Sequence, residues 1–357
     1  MGSEETRIGH DAGADLKRAA EAIADAVVEA CFTARPELLA RYGPAGRAKC
    51  RHDTLYHIGY LREALEAGSS ALFVEYVRWV VSLLKGYDIP AGDLRLNITA
   101  IADACDTHCL PATAAAVRQI VNAGLDVLEE EPSEESLIAG ESRAALLARD
   151  YLAALLAGDR RTAGELIAAA RDGGMTIKEI YLDVFTPVQR EIGRLWQINR
   201  LSVAQEHFCT AATQTIMSGF YPTMFSMPRA GRTVVAVAVG GELHEIGVRM
   251  VADLLELEGW DSYYVGANVP AASVVRTLVE RHADLLAISA TMTFHIDEVR
   301  AMIAAVRGSE ECRDVKILVG GYPFLVEPQL WRRVGADGHA PDGHTVGEVA
   351  AKLLATR

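Results

Sequence analysis

The chain has little basic charge, and none of it is clustered. Its 35 Lys and Arg are outnumbered by 48 Asp and Glu, leaving a formal net charge of -13. Holding a nucleic-acid backbone depends on grouped Lys and Arg, so direct contact with DNA or RNA is not expected. Also missing is any run of about 18 apolar residues, the minimum for a membrane-spanning helix. The start, MGSEETRIGHDAGADLKRAAEA, lacks the charged-then-apolar order of a secretory leader. The six cysteines (Cys31, Cys50, Cys105, Cys109, Cys209 and Cys312) include no CxxC pair. Scattered thiols of this kind suit a reducing compartment, and the cytoplasm is the expected location. Internal repeats and low-complexity tracts are absent as well.

What is present is a 357-residue chain, half of it hydrophobic, long enough for two or three domains. Residues 1–13 are expected to be a flexible N-terminus, and 14–128 an all-α domain of five or six helices. The acidic, turn-rich EEEPSEES at 129–136 reads as a linker. Residues 137–228 read as a four-helix bundle with helices at 140–156, 159–172, 177–197 and 203–219. The last two open on capping boxes, Thr176 to Glu179 and Ser202 to Gln205. The break at 198–201 matters, because Trp196 and Glu206 are ten residues apart. In one continuous helix that is about 1000° of rotation and puts them on different faces.

From 229 to 357 the pattern changes to apolar strands alternating with amphipathic helices: TVVAVAV, DSYYV, DLLAISAT, VKILVGG and a short last strand near Ala336 to His339. Such runs predict a parallel sheet covered on both faces, here a flavodoxin-like, doubly wound, five-stranded α/β domain. Ligands in that fold bind beyond the carboxyl ends of the strands, where the strand order reverses. There the first strand enters VGGELHEIG, with Glu242 placed to bond one ring nitrogen of His244 and leave the other for a metal. Gly247 is read as letting the following helix approach closely, Ser289 and Thr291 end the third strand, and Gly320-Gly321 end the fourth, a slot with hydroxyls on one wall and bare backbone on another.

Glu242-x-His244-x-x-Gly247, Ser289-x-Thr291 and Gly320-Gly321 together resemble the cobalamin-binding signature. The resemblance implies His244 as the lower axial ligand of cobalt, base-off and His-on, with the nucleotide tail in the slot beside Ser289, Thr291, Gly320 and Gly321. Glu242 stands where most members carry Asp. Trp196, nine intervening residues, then Glu206-His207 resembles the motif of the CarH-type adenosylcobalamin photoreceptors. That implies a bundle capping the cofactor, with Trp196, Glu206 and His207 around a 5'-deoxyadenosyl group. Gln197 follows the Trp where those photoreceptors carry a cobalt-capturing His, so the upper ligand after light falls to His207, water or another residue.

No winged-helix DNA-binding segment precedes the bundle. The N-terminal domain instead has His52, Tyr56, His57 and Tyr60 on one helix and Tyr76 and Trp79 on the next, with Arg51, Arg78 and Arg95 nearby. With this domain, in one reading globin-like, the chain resembles the photocobilins, which implies biliverdin as a second chromophore. Cys50 is a conceivable thioether site, noncovalent binding being favoured. The resulting expectation is a non-enzymatic light sensor whose Co–C bond breaks on illumination, with light-dependent homo-oligomers and a separate downstream signalling partner. The alternative is a corrinoid methyl carrier of a methyltransferase system. A mutase fragment would need a substrate barrel that is missing, and a receiver domain would need acidic residues that GGELH and SATMTFH do not supply.

Overall fold

The structure, a computed structural model, describes residues 2–131, 133 and 135–355. It divides into two units, Met1–Pro132 and Ser133–Arg357. Pro132 and Glu134, within the expected linker, lie outside the described residues.

The first unit is all helical: α1 (Gly2–Ala34), α2 (Glu37–Ala67), α3 (Ser70–Gly86), α4 (Ala91–His108) and α5 (Pro111–Leu125). The segment expected to be flexible is helical from Gly2 onward. Pro44 sits inside α2, and Gly43 before it takes a non-helical φ of 64°, so the chain bends there. Gly68 ends α2 at φ 57°, a left-handed cap that favours glycine. Leu16, Ile23, Leu61, Phe73, Ile98 and Ile101 fill the core.

The inner part of the aromatic stripe, His57, Tyr60 and Tyr76, belongs to that core rather than to a chromophore pocket, while His52 and Tyr56 are exposed. His57 Nδ1 and the Tyr76 hydroxyl are 2.6 Å apart, and both residues are buried. Tyr60 stacks on Tyr76, and Trp79 and Phe73 flank the same ring. His52 and Tyr56 meet edge to face. Rings that satisfy one another in this way line no slot for a bilin. The arginines are likewise engaged by protein carboxylates: Arg51 by Asp25 and Glu21, Arg78 by Glu130 and Glu75, Arg95 by Glu129. Burial pushes the Cys50 thiol up, away from the thiolate that a thioether needs.

The second unit begins with α6 (Arg143–Leu156) and α7 (Arg160–Asp172). A three-residue α8 (Ile177–Glu179) runs through a π-helical turn, Ile180–Phe185, into α9 (Thr186–Gln197). Both capping boxes form, at Thr176 with Glu179 and at Ser202 with Gln205. Asn199, at φ 57°, turns the chain between α9 and α10 (Val203–Ser218), as the break at 198–201 requires. Tyr151, Tyr181 and Phe185 interlock in the bundle's interior at 5.3 and 5.7 Å. Burying Phe185 alone contributes about 2–3 kcal/mol.

A short α11 (Tyr221–Met224) leads into the sheet layer: β1 (Thr233–Ala238), α12 (Ile246–Leu257), β2 (Asp261–Gly266), α13 (Ala271–Arg281), β3 (Leu285–Ser289), α14 (Ile296–Gly308), β4 (Lys316–Gly320), α15 (Tyr322–Val326), α16 (Leu330–Val334), β5 (Gly338–His339) and α17 (Val346–Ala355). All strands are parallel, in the flavodoxin-like order β2-β1-β3-β4-β5. Register aligns Ala238 with Ser289 and Ser289 with Gly320. The loops after β1, β3 and β4 therefore emerge side by side at the carboxyl edge, where the order reverses. Among the described residues no helix is long and apolar enough to cross a membrane.

Candidate cobalamin site

The β1–α12 loop is built around one buried carboxylate. Glu242 is fully buried, and its Oε1 meets His244 Nδ1 at 2.5 Å and accepts from the His244 amide at 2.9 Å. Its Oε2 accepts from the amides of Thr291 and Met292 at 2.7 and 3.1 Å and faces His295 Nδ1 at 3.1 Å. Burial alone would raise this carboxyl, but the bonds from His244 and His295 outweigh it and hold the group well below the usual carboxylate range. The bond to Glu242 raises His244 against the effect of burial, with the Glu206 charge adding to the rise.

His244 is thus held by its backbone and by Nδ1 while its side chain stays 58% exposed. With Nδ1 donating to the carboxylate, the lone pair of Nε2 faces outward, the form in which imidazole ligates metals. Leu243, 74% exposed, stands beside it. Sequence reasoning found Glu242 and His244 but missed His295. Its only signal was a position four residues past Thr291, in the loop that the strand order returns to Glu242.

The rest of the expected slot shows two kinds of backbone. A Cβ on Gly247 would meet nothing within 4 Å, so this glycine leaves open space beside His244 rather than serving close helix packing. Gly321, at φ 106°, is different: a Cβ there would lie 2.0 Å from the Ala290 carbonyl oxygen. Gly321→Ala is expected to cost about 2–4 kcal/mol from backbone strain and overlap, measured as a shift in the urea midpoint. A Cβ on Gly320 would make an ordinary contact with Ala340. Among the described residues the Ser289 and Thr291 hydroxyls have no hydrogen-bond partner, which leaves both for a ligand.

On the bundle side, Trp196 packs partly buried against the core, and Glu206 is oriented by a polar seam. Thr210 Oγ1 lies 3.0 Å from Glu206 Oε1 and 3.1 Å from Gln189 Oε1. Gln189 Nε2 donates to Thr213 at 2.8 Å, and Tyr151 meets Thr213 at 2.9 Å. Sequence reasoning did not find Gln189, Thr210 or Thr213. His207 is 74% exposed, with Nε2 3.4 Å from Glu206.

Comparison with known proteins names the cofactor class this geometry suits. A B12 binding domain matches residues 232–349, and a second B12 binding domain matches residues 147–218. The dimethylamine corrinoid protein 3 of Methanosarcina mazei is 32% identical over 124 residues, which cover 34% of this chain and 72% of that relative. The chain belongs to the corrinoid protein family. The dimethylamine corrinoid protein of Methanosarcina barkeri is also 32% identical over 124 residues, 34% of this chain and 56% of the relative, so the match spans little more than half of that relative's length. The solved monomethylamine corrinoid protein of Methanosarcina barkeri aligns with a TM-score of 0.50 at 20% identity, covering 58% of this chain and 96% of its own, and shows the shared fold.

These relatives correct the photoreceptor resemblance. This corrinoid protein matches corrinoid proteins named for methylamines, so the CarH-type and photocobilin assignment, the light-sensing function, the light-dependent homo-oligomer and the separate signalling partner are withdrawn. The B12 binding domains indicate a cobalamin or related corrinoid, and the findings support neither its adenosyl form nor biliverdin.

Proposed function

We propose that this corrinoid protein carries methyl groups for methyltransferase partners, with its cobalt seated on His244. The observation that carries the reading is His244 itself, anchored through Nδ1 to a buried carboxylate and open at Nε2. Its relatedness to dimethylamine corrinoid proteins supports methylated amines as the source of the methyl group. When bound, the corrinoid supplies a cobalt that takes up and gives away a methyl group.

The chain's own residues hold and shield that centre. His244 would hold the cobalt, and Glu242 fixes which ring nitrogen is left free for it. Ser289 and Thr291 would offer hydroxyls to the nucleotide tail, Gly247 would leave it open space, and Gly320 and Gly321 would present bare backbone. On the bundle side, Trp196 would supply an apolar wall that excludes water, while Glu206, with His207 beside it, would present the polar edge of the cap. In this reading the chain is no enzyme: bond making and breaking belong to the partner methyltransferases. Six free cysteines agree with a cytoplasmic setting.

The test is methylation by a partner. Cobalamin-loaded, reduced protein is mixed with a methylated amine and its methyltransferase, and the released corrinoid is weighed by mass spectrometry. Methylation is expected about 100-fold faster than with free cobalamin, because docking replaces diffusion by a fixed geometry. Rates equal to free cobalamin with mono-, di- and trimethylamine systems alike would overturn the proposal.

A further inference from the structure

The helical bundle touches the sheet layer through several partly exposed polar contacts. Gln214 Nε2 donates to Glu245 at 3.0 Å, and Arg249 donates to Ser218 at 2.8 Å and to Tyr221 at 3.3 Å. One contact differs in kind. Asp253, on α12 and only 4% exposed, accepts from the hydroxyl of the fully buried Tyr181 at 2.8 Å. Tyr221 of α11 faces the same carboxyl. One acid on the helix that starts two residues after His244 thus receives a phenol from the π-helical turn, with a second phenol from α11 facing it.

Tyr181 reaches Asp253 from the π-helical turn, where Thr186 Oγ1 donates to the Tyr181 carbonyl at 2.8 Å. Turns of this type interrupt the regular ladder and concentrate at functional places. A carboxyl is also a poor choice for a joint that need only be firm, since apolar residues of similar volume hold buried contacts at least as well.

We propose that Asp253 is the latch of the cap: through Tyr181 it holds the bundle down on α12, with Glu206 over His244, and its release lets the bundle lift. The latch rests on the methyl-carrier reading, in which the upper face of the corrinoid must be covered and uncovered in turn. The groups facing the carboxyl are Tyr181 from the π-helical turn, Tyr221 from α11, and Arg249 and Glu256 from α12 itself. Burial pushes Asp253 up to about 6, against the lowering effect of the Tyr181 bond and Arg249. An acid raised in the folded state weakens that state as pH climbs from the ordinary carboxylate value through the raised one. The joint is therefore tight at pH 5 and looser at pH 7.5.

Amide hydrogen exchange on the full-length protein without corrinoid tests the joint itself. In residues 177–197, protection corrected for intrinsic rates is expected to fall about 10-fold from pH 5 to pH 7.5. Asp253→Asn, which stays uncharged and still accepts from Tyr181, is expected to remove that fall, and Tyr181→Phe to lower protection at both pH values. Equal protection in all three proteins at both pH values overturns the latch. Hydroxocobalamin-loaded protein then tests its role over cobalt: imidazole substitution at the upper face should be faster in Tyr181→Phe than in wild type. If exchange changes while substitution does not, the joint is merely structural and the proposal fails. Failure to retain hydroxocobalamin counts against the carrier reading, and hydrogen exchange still decides the latch.

Discussion

Protein carrying His244→Ala is expected to lose cobalamin affinity by about 100-fold or more, as befits removal of a metal ligand rather than of a group behind it. The argument is geometric. The His244 ring is exposed, so no core is disturbed by its removal, and the Glu242 carboxylate keeps the His244 amide and the donors from the β3 side. The unloaded protein should accordingly lose no more than about 1–3 kcal/mol of stability, the worth of one hydrogen bond to a charged group. Titration with hydroxocobalamin, followed by absorbance, measures the affinity, and urea unfolding of the unloaded protein measures the stability. Unchanged affinity would remove His244 from the site. A collapse of stability would instead make it a structural residue.

Glu242→Ala is expected to have the opposite profile, with a large loss in the unloaded protein of about 3–5 kcal/mol. Glu242 is the acceptor for donors from two loops, the one after β1 and the one after β3. Alanine leaves those donors facing a dry cavity, and the two loops lose the group that ties them together. Glu242→Gln keeps the volume but turns an amide NH2 toward donors, so it should cost roughly half as much. Urea midpoints of the three proteins check the order. Equal stability of wild type and Glu242→Ala would mean that the loops are held by something else.

The sheet could be read in advance because its central strands β1, β3 and β4 are buried on both faces and need no knowledge of their neighbours to be recognised. The two helix starts in the bundle were legible for the same local reason, since a capping box lies within four residues. What escaped was whatever depends on residues far apart in sequence. His295 gains its meaning only when β3 lies beside β1 and returns it to Glu242, 53 residues earlier. The π-helical turn leaves no mark on IYLDVF that separates it from ordinary helix, and the partner of Tyr181, Asp253, lies 72 residues on. The aromatic stripe of α2 and α3 misled in the converse way. Spacing places Tyr60 and Tyr76 on inward faces, but it cannot distinguish rings that line a pocket from rings that fill one another's space. The photoreceptor reading leaned on Trp196, Glu206 and His207, whereas the relatives match along a stretch of 124 residues.

A helix has a phase as well as a length. Where side chains repeat every 3.6 residues, the wider π-helical turn at Ile180–Phe185 shifts the angular position of all that follows, by up to about 100° for one extra residue. Within the turn, Tyr181 points at α12; after it, Gln189 points at Thr210 and Thr213 of α10. Those two partners lie in directions that a uniform α-helix would have to serve with a single angular schedule. The turn acts as a phase shifter, so that one continuous segment keeps two appointments set by two different neighbours.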